Sequence, residues 1–238
     1  MPTPQKVHCV VSEIVPHGNQ VYTVELTSES VFPRFNCGQF LHLTLDEYDP
    51  SSFWPESRVF SIASSPADRN RLKITYSVKG KYTTRMENEL APGKEVWIKM
   101  PYGDFYIDAS QPVVLIAGGT GITAFSAFLE DEKNKCTAPF TIFYGAKERN
   151  LLIYKESLDR WHLNHPGQNV FYFLEEADHL EPDEIKGRIN LDEIWSHLPE
   201  PFINHFYLSG PPPMLKTFSE ALQTRSLPAA MIHIDAWE

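Results

Sequence analysis

Pro112-Val113-Val114-Leu115-Ile116-Ala117-Gly118-Gly119-Thr120-Gly121-Ile122-Thr123-Ala124-Phe125 combines an uncharged aliphatic run, a glycine turn and a second apolar run. Val113–Ala117 has no polar alternation, which is the pattern of a strand covered on both faces in a parallel sheet. After Gly118-Gly119-Thr120-Gly121 the apolar residues Ile122, Phe125, Phe128 and Leu129 recur at helical spacing, up to the charged run Glu130-Asp131-Glu132-Lys133. Strand, glycine turn and helix in that order aim the free N–H groups of a helix start at an anion, and glycine lets the backbone approach it without a Cβ in the way. The three glycines alone fit an ordinary strand-to-helix connection equally well.

The bulk composition bounds the rest. A chain of 238 residues with 42% hydrophobic content is long enough for one large domain or two modest ones, each with its own core. No apolar run approaches the ~20 residues of a membrane helix, and Met1-Pro2-Thr3-Pro4-Gln5-Lys6 lacks a signal-peptide apolar region. The expectation is a soluble, cytoplasmic protein. Cys9, Cys37 and Cys136 lie far apart, which argues against a disulfide framework, a zinc site or an iron–sulfur cluster. The net charge of −10 disfavours nucleic acid and anionic membrane surfaces as partners.

Upstream of Asp108 the chain reads as short strands with frequent turns: Val7–Ile14, Gln20–Leu26, Leu41–Leu45, Arg58–Pro66, Leu72–Val78 and Glu95–Met100, with Phe105-Tyr106-Ile107 closing the series. His17-Gly18-Asn19 turns between the first two. A short helix starts near Thr83-Thr84, with Glu87 placed as in a capping box, and stops at Ala91-Pro92-Gly93. This pattern predicts an antiparallel β-barrel over residues 1–108. Beyond it, strands at 113–117, 140–144, 169–174, 205–208 and 231–234 alternate with helices at 123–132, 154–161, 191–197 and 213–223, predicting a doubly wound parallel α/β sheet over residues 109–238.

Five motifs bring these elements together. Arg58-Val59-Phe60-Ser61, Gly80-Lys81-Tyr82-Thr83, Tyr102-Gly103-Asp104-Phe105, Gly118-Gly119-Thr120-Gly121-Ile122-Thr123 and Leu208-Ser209-Gly210-Pro211-Pro212-Pro213-Met214 stand in the order found in ferredoxin–NADP reductase-like flavoproteins. The chain resembles that family along its whole length. The resemblance implies an FAD-binding barrel, an NAD(P)-binding second domain and hydride transfer where the domains meet. FAD is favoured over FMN as the flavin, with NADH or NADPH as electron donor.

By the same resemblance, Arg58 pairs with the flavin pyrophosphate through its planar charged fork. Phe60 packs on the isoalloxazine, where the family usually has tyrosine, and Ser61 bonds near the hydride-accepting nitrogen. Val59, Thr75, Ser77, Val78, Gly80, Tyr82, Thr83 and Thr84 complete the flavin set. Gly118, Gly119, Thr120, Gly121, Thr123, Gly145, Arg149, Gly210, Pro211, Pro212 and Met214 form the nicotinamide-nucleotide set. Ser209 stands where many relatives have cysteine, so it is a candidate catalytic residue together with Ser61. The ending Asp235-Ala236-Trp237-Glu238 resembles that of bacterial relatives, with Trp237 covering the flavin and Asp235 orienting Ser209.

The remaining polar features have simpler readings. His162-x-x-His165 lies in a presumptive loop without further ligands, so no metal site is expected. Glu175–His179 and Glu181–Glu184 read as solvated acidic surface. Phe53-Trp54 serves either as a core anchor or as a lid. Lys147 and Arg149 are the cations available to a 2′-phosphate, but Glu148 between them tips the balance toward NADH. With no cysteine cluster or haem segment, electrons pass to a separate molecule: a ferredoxin or oxygenase component, or free flavin as in NAD(P)H:flavin reductases. An electron-transfer subunit of a larger complex is the third reading.

Overall fold

Two adjacent residues with positive φ, Asn19 (+46°) and Gln20 (+57°), close the first hairpin of the computed structural model, which describes residues 3–131 and 136–235. Their left-handed conformation is that of a two-residue type I′ turn, whose twist matches the flanking strands. The turn joins β1 (Gln5–Gly18) to β2 (Val21–Thr27), with Gly18 opposite Val21 and Ile14 opposite Val24. These strands, with β3 (Phe40–Thr44), β4 (Arg58–Ser61), β5 (Arg71–Ser77) and β6 (Glu95–Tyr102), form an antiparallel sheet in the order β4-β3-β6-β1-β2-β5. Its edges approach each other where the Ala63 N–H donates to the Lys73 carbonyl at 2.8 Å and the Lys73 N–H to Ser64 Oγ at 3.1 Å. The result is the nearly closed barrel expected from the turn spacing.

Val11, Leu26, Leu41, Leu43, Ile74 and Ile98 fill the barrel, and α1 (Lys81–Glu89) adds Tyr82 and Met86 to the same core. The helix starts earlier than its sequence suggests. Gly80 is the N-cap, and Thr83 sits inside the first turn, where its hydroxyl accepts the N–H groups of Lys79 (2.9 Å) and Gly80 (3.1 Å). Glu87 does not cap the helix, because its carboxylate accepts the Tyr22 hydroxyl at 2.8 Å. Phe105–Ile107 is irregular backbone rather than a strand.

The second sheet is entirely parallel, in the order β10-β9-β8-β7-β11-β12. Its strands are β7 (Val113–Gly118), β8 (Phe140–Glu148), β9 (Asn169–Glu176), β10 (Glu184–Lys186), β11 (His205–Ser209) and β12 (Ile232–Ile234). The crossovers carry α2 (Thr123–Glu130), α3 (Lys155–Asn164), α4 (Leu191–Ser196) and α5 (Pro212–Thr224). Every residue of β7 is buried, as its uncharged run requires. Strand order reverses between β7 and β11, the switch point at which open α/β sheets place their ligands.

Two readings of this part are corrected. His162 lies in the last turn of α3, and His165 caps that helix with its ring stacked on Trp161 at 4.6 Å, so the pair is not in an open loop. The acidic run ending in Glu184 is not wholly solvated: Glu184 opens β10 and is buried. By contact the chain divides into two compact units, Met1–Tyr106 with Ser126–Asp131, and Ile107–Phe125 with Glu132–Glu238.

Candidate nucleotide sites

In the first unit Val78, Gly80 and Thr84 line the start of α1, and Arg58 meets the Tyr82 ring there from β4. Register places Arg58 opposite Leu43, Phe60 opposite Leu41 and Ser61 opposite Phe40. Arg58 is exposed, paired with Glu56 at 3.1 Å, and its guanidinium lies 4.9 Å from the centre of the Tyr82 ring. Tyr82 is buried and ties the helix to β3: its hydroxyl donates to the Leu43 carbonyl at 2.7 Å and accepts the Leu45 N–H at 3.2 Å. Burial pushes this phenol up to about 12, so it stays neutral. Phe60 is partly buried against the barrel core, edge-on to Tyr76 at 6.2 Å. The N-terminus of α1 opens on a hollow of about 730 Å³ lined by Gln20, Val78, Lys79, Gly80, Lys81, Thr84, Arg85 and Asn88.

That hollow combines ammonium groups with helix N–H groups, the chemistry of a phosphate site. A Cβ built on Gly80 would meet nothing within 4 Å, so the approach to the helix start is open. Lys79 and Arg85 belong to it although no motif includes them, and Lys81 joins them from within the Gly80–Thr83 motif; Lys81 and Arg85, four residues apart on one helix face, were the available signal. Arg85 also stands 5.9 Å from the Tyr82 ring and is held by Asp46 and Glu89. Thr75 is turned to other work: it is buried, and its hydroxyl bonds Thr23 at 2.7 Å, which in turn contacts His17 at 2.8 Å. Phe53 is 98% exposed, whereas its neighbour Trp54 packs edge-on to Tyr48 at 5.1 Å. The pair therefore divides between surface and packing.

In the second unit the three turn glycines have different physical reasons. A Cβ on Gly121 would lie 2.4 Å from the Ser209 carbonyl oxygen, and one on Gly118 would lie 2.6 Å from Met214 Sδ. Gly121 is required by backbone packing against the end of β11, whereas at Gly118 it is the flexible Met214 side chain at the start of α5 that would have to give way. Gly119 has φ +55° and open space around its absent Cβ. It alone leaves room for a ligand. Thr123 closes the turn by donating its hydroxyl to the Thr120 carbonyl at 2.8 Å.

Ser209, at the end of β11, is buried and donates to Asp235 Oδ2 at 3.0 Å. Asp235 is anchored in turn by its N–H to the Leu208 carbonyl at 2.9 Å. Gly210 and Pro211 follow, and Pro212 opens α5 beside Met214. The structure thus assembles Gly118–Gly121, Ser209–Pro211, Met214 and Asp235 at one end of the sheet. Gly145 pairs with Gly118 across β7 and β8, and packs on Ile189. Trp237 lies outside the described residues. Arg149 is held by Glu184 rather than extended into solvent, with Nε–Oε1 at 2.9 Å and Nη2–Oε2 at 2.5 Å.

No group of three or more His, Cys, Asp and Glu side chains among the described residues is placed to hold a metal ion. Burial pushes the Cys9 thiol up to about 12 and the Cys136 thiol to about 11, far from reactive thiolate character.

Residues 115–220 match the family described as the oxidoreductase NAD-binding domain. The chain is 24% identical over 209 residues to terephthalate 1,2-dioxygenase, reductase component 1, from Comamonas sp., covering 86% of this chain and 60% of that protein. It is 29% identical over 213 residues to the phenol 2-monooxygenase reductase component of Pseudomonas sp. (strain CF600), covering 87% of this chain and 58% of that protein. Together these matches support the ferredoxin–NADP reductase-like family of FAD- and NAD-binding oxidoreductases.

The chain's fold agrees with solved structures of two-domain reductases. The flavohaemoglobin-like FAD/NAD-binding domain of nitric oxide dioxygenase from Vibrio cholerae superimposes with a TM-score of 0.79 at 21% identity, covering 96% of this chain and 97% of that one. Phthalate dioxygenase reductase gives a TM-score of 0.73 at 18% identity, with 97% and 67% covered. The chain spans about three fifths of the length of the two reductase components, 60% and 58% respectively. No helix among the described residues is long and apolar enough to cross a membrane.

Proposed function

We propose that the chain binds FAD at the start of α1 and NAD(P)H at the β7 turn, and passes electrons from the nicotinamide to a separate acceptor. The observation that carries this is the presence of two nucleotide cradles in one chain, each with an open glycine at a helix start: Gly80 above a lysine-lined hollow and Gly119 at the switch point. When bound, FAD takes an electron pair as hydride and releases electrons one or two at a time.

The chain's residues supply binding and orientation. Lys79, Lys81 and the N–H groups of α1 hold a pyrophosphate, while Arg58, set against the Tyr82 ring, presents its charged fork beside them. Phe60 offers an apolar edge of the barrel core and Ser61 a hydroxyl at the end of β4. In the second unit the turn at Gly119 receives the dinucleotide phosphates. Ser209, fixed by Asp235, presents a held hydroxyl oxygen to the nicotinamide end. The acceptor is an oxygenase component or small electron carrier, as the names of the reductase relatives suggest.

The test is the purified protein's spectrum, its flavin content and its anaerobic reaction with NADH. About one FAD per chain that bleaches on mixing supports the reading. Colourless protein that reduces added riboflavin with NADH points instead to flavin as substrate. A chain that neither retains nor reduces flavin overturns both.

A further inference from the structure

Beyond the carboxyl ends of β8 and β9 lies a space of about 580 Å³ lined chiefly by Glu148, Arg149, Glu175, Glu176, Asp178 and Lys186. β8 is the parallel neighbour of β7, with Gly145 opposite Gly118. In a doubly wound sheet this is where the adenosine ribose of a dinucleotide lies, read by a carboxylate on the 2′-hydroxyl or by an arginine on a 2′-phosphate. Both residue types are present here, so on that choice the sequence gives no more than a lean toward NADH. The side-chain geometry decides it.

Arg149 donates to Glu184 through one edge of its fork, Nε and Nη2, while Nη2 also donates to the His179 carbonyl at 2.8 Å and Nη1 lies 3.3 Å from His179 Nε2. The Glu184 side chain is fully enclosed, at 0% exposure, whereas Arg149 keeps 31%. One Glu184 oxygen additionally accepts the Glu181 N–H at 2.9 Å. Swinging Arg149 toward a phosphate would strand an enclosed carboxylate without its counter-charge, the costly half of breaking such a pair. The surrounding cations are engaged as well: Lys147 with Glu176 at 3.2 Å, Arg188 with Glu175 at 2.8 Å, and Lys186 with the Ala177 carbonyl at 2.7 Å. A dianionic 2′-phosphate entering this space meets carboxylates and no uncommitted fork.

We propose that Glu184 is the positioning residue that sets coenzyme choice: by holding Arg149 it closes the ribose site to a 2′-phosphate and makes NADH the electron donor. This rests on the assignment of the second unit to NAD(P)H. Glu184 touches no coenzyme; it acts through Arg149.

The decisive comparison is kcat/KM with NADH and with NADPH, alongside calorimetric binding of 5′-AMP and 2′,5′-ADP, for the parent chain, Glu184→Gln, and Glu184→Gln combined with Arg149→Ala. The parent prefers NADH and AMP. Glu184→Gln raises the NADPH-to-NADH ratio and 2′,5′-ADP affinity by about tenfold, the scale of one charge-assisted pair, and the added Arg149→Ala removes that gain. Arg149→Lys in the parent background, which keeps a cation for the enclosed Glu184 carboxylate while losing the planar fork, gives an answer even where Glu184→Gln folds poorly. There the NADPH-to-NADH ratio stays within about twofold, since a latched arginine contributes nothing to either donor. A parent that binds AMP while Glu184→Gln leaves its selectivity unchanged, or a fall of about tenfold in the NADPH-to-NADH ratio on Arg149→Lys alone, overturns the latch and spares the nucleotide assignment. A parent that binds neither AMP nor NADH overturns the assignment and the latch with it.

Discussion

Single residues in the β7 turn separate packing from binding. Gly121 has no room for a Cβ, because the Ser209 backbone occupies that space, and at Gly118 the flexible Met214 side chain would have to shift, whereas Gly119 is needed for its φ of +55°. Gly121→Ala should destabilise the chain by about 2–3 kcal/mol, the overpacking range, because backbone and not a flexible side chain must give way. Gly119→Ala should cost only about 1 kcal/mol of left-handed strain. Urea unfolding of both variants checks the order, and a Gly119→Ala change costing more than Gly121→Ala refutes it. A glycine triplet in the sequence shows that the turn is tight, but which glycine faces a neighbour and which faces open space depends on β11, some ninety residues away. The Arg149–Glu184 pair also gives an acid-side prediction. Arg149 holds the Glu184 carboxyl below the usual carboxylate range. The pair's contribution is therefore present above about pH 4.3, the ordinary Glu value, and is lost as pH falls through the lower folded value. Glu184→Gln should flatten the loss of urea midpoint below about pH 4.3, leaving Arg149 half-exposed and charged throughout. A variant as acid-sensitive as the parent argues against the pair.

At the level of elements, strands were easier to read than caps. β-branched runs and two-residue turns specify the barrel locally, and the uncharged run of β7 specifies a sheet covered on both faces. The start of α1 was misplaced because Thr83 has the chemistry of an N-cap, yet its hydroxyl is used from inside the helix to hold Lys79 and Gly80. β10 leaves no mark in the sequence because three residues in an acidic stretch carry no hydrophobic period; pairing with β9 and the Arg149 ion pair bury Glu184 instead. The position of α1 depends on Tyr82, whose hydroxyl satisfies both the Leu43 carbonyl and the Leu45 N–H of the barrel. Tyr82→Phe should cost about 1–3 kcal/mol, because it leaves the buried Leu45 donor without its partner. The phenylalanine ring keeps its face toward Arg58, so any fall in flavin content after purification reports displacement of the helix start rather than loss of the cation–ring contact. Unchanged thermal stability would mean that Met86 and the rest of the core position the helix without this tether.

For the whole molecule, the order of the two sheets was legible from the sequence because barrel and doubly wound sheet have different periods and turn spacings. The identity of the electron acceptor was not, since an acceptor surface is a matter of charge and shape rather than of motif. Net charge nevertheless constrains it. With 31 acidic against 21 basic side chains, a net of −10, the chain attracts cationic acceptors and repels anionic ones at long range. Reduction of cytochrome c, a basic one-electron acceptor, should therefore slow by about tenfold as ionic strength rises from about 10 mM to about 200 mM, while reduction of the ferricyanide anion should speed up. The opposed slopes matter because any general effect of salt on NADH binding or flavin retention would move both acceptors in one direction. Stopped-flow oxidation of the NADH-reduced protein by each acceptor isolates this step. Parallel slopes would show that the exit for electrons is set by a local patch whose charge differs from that of the chain as a whole.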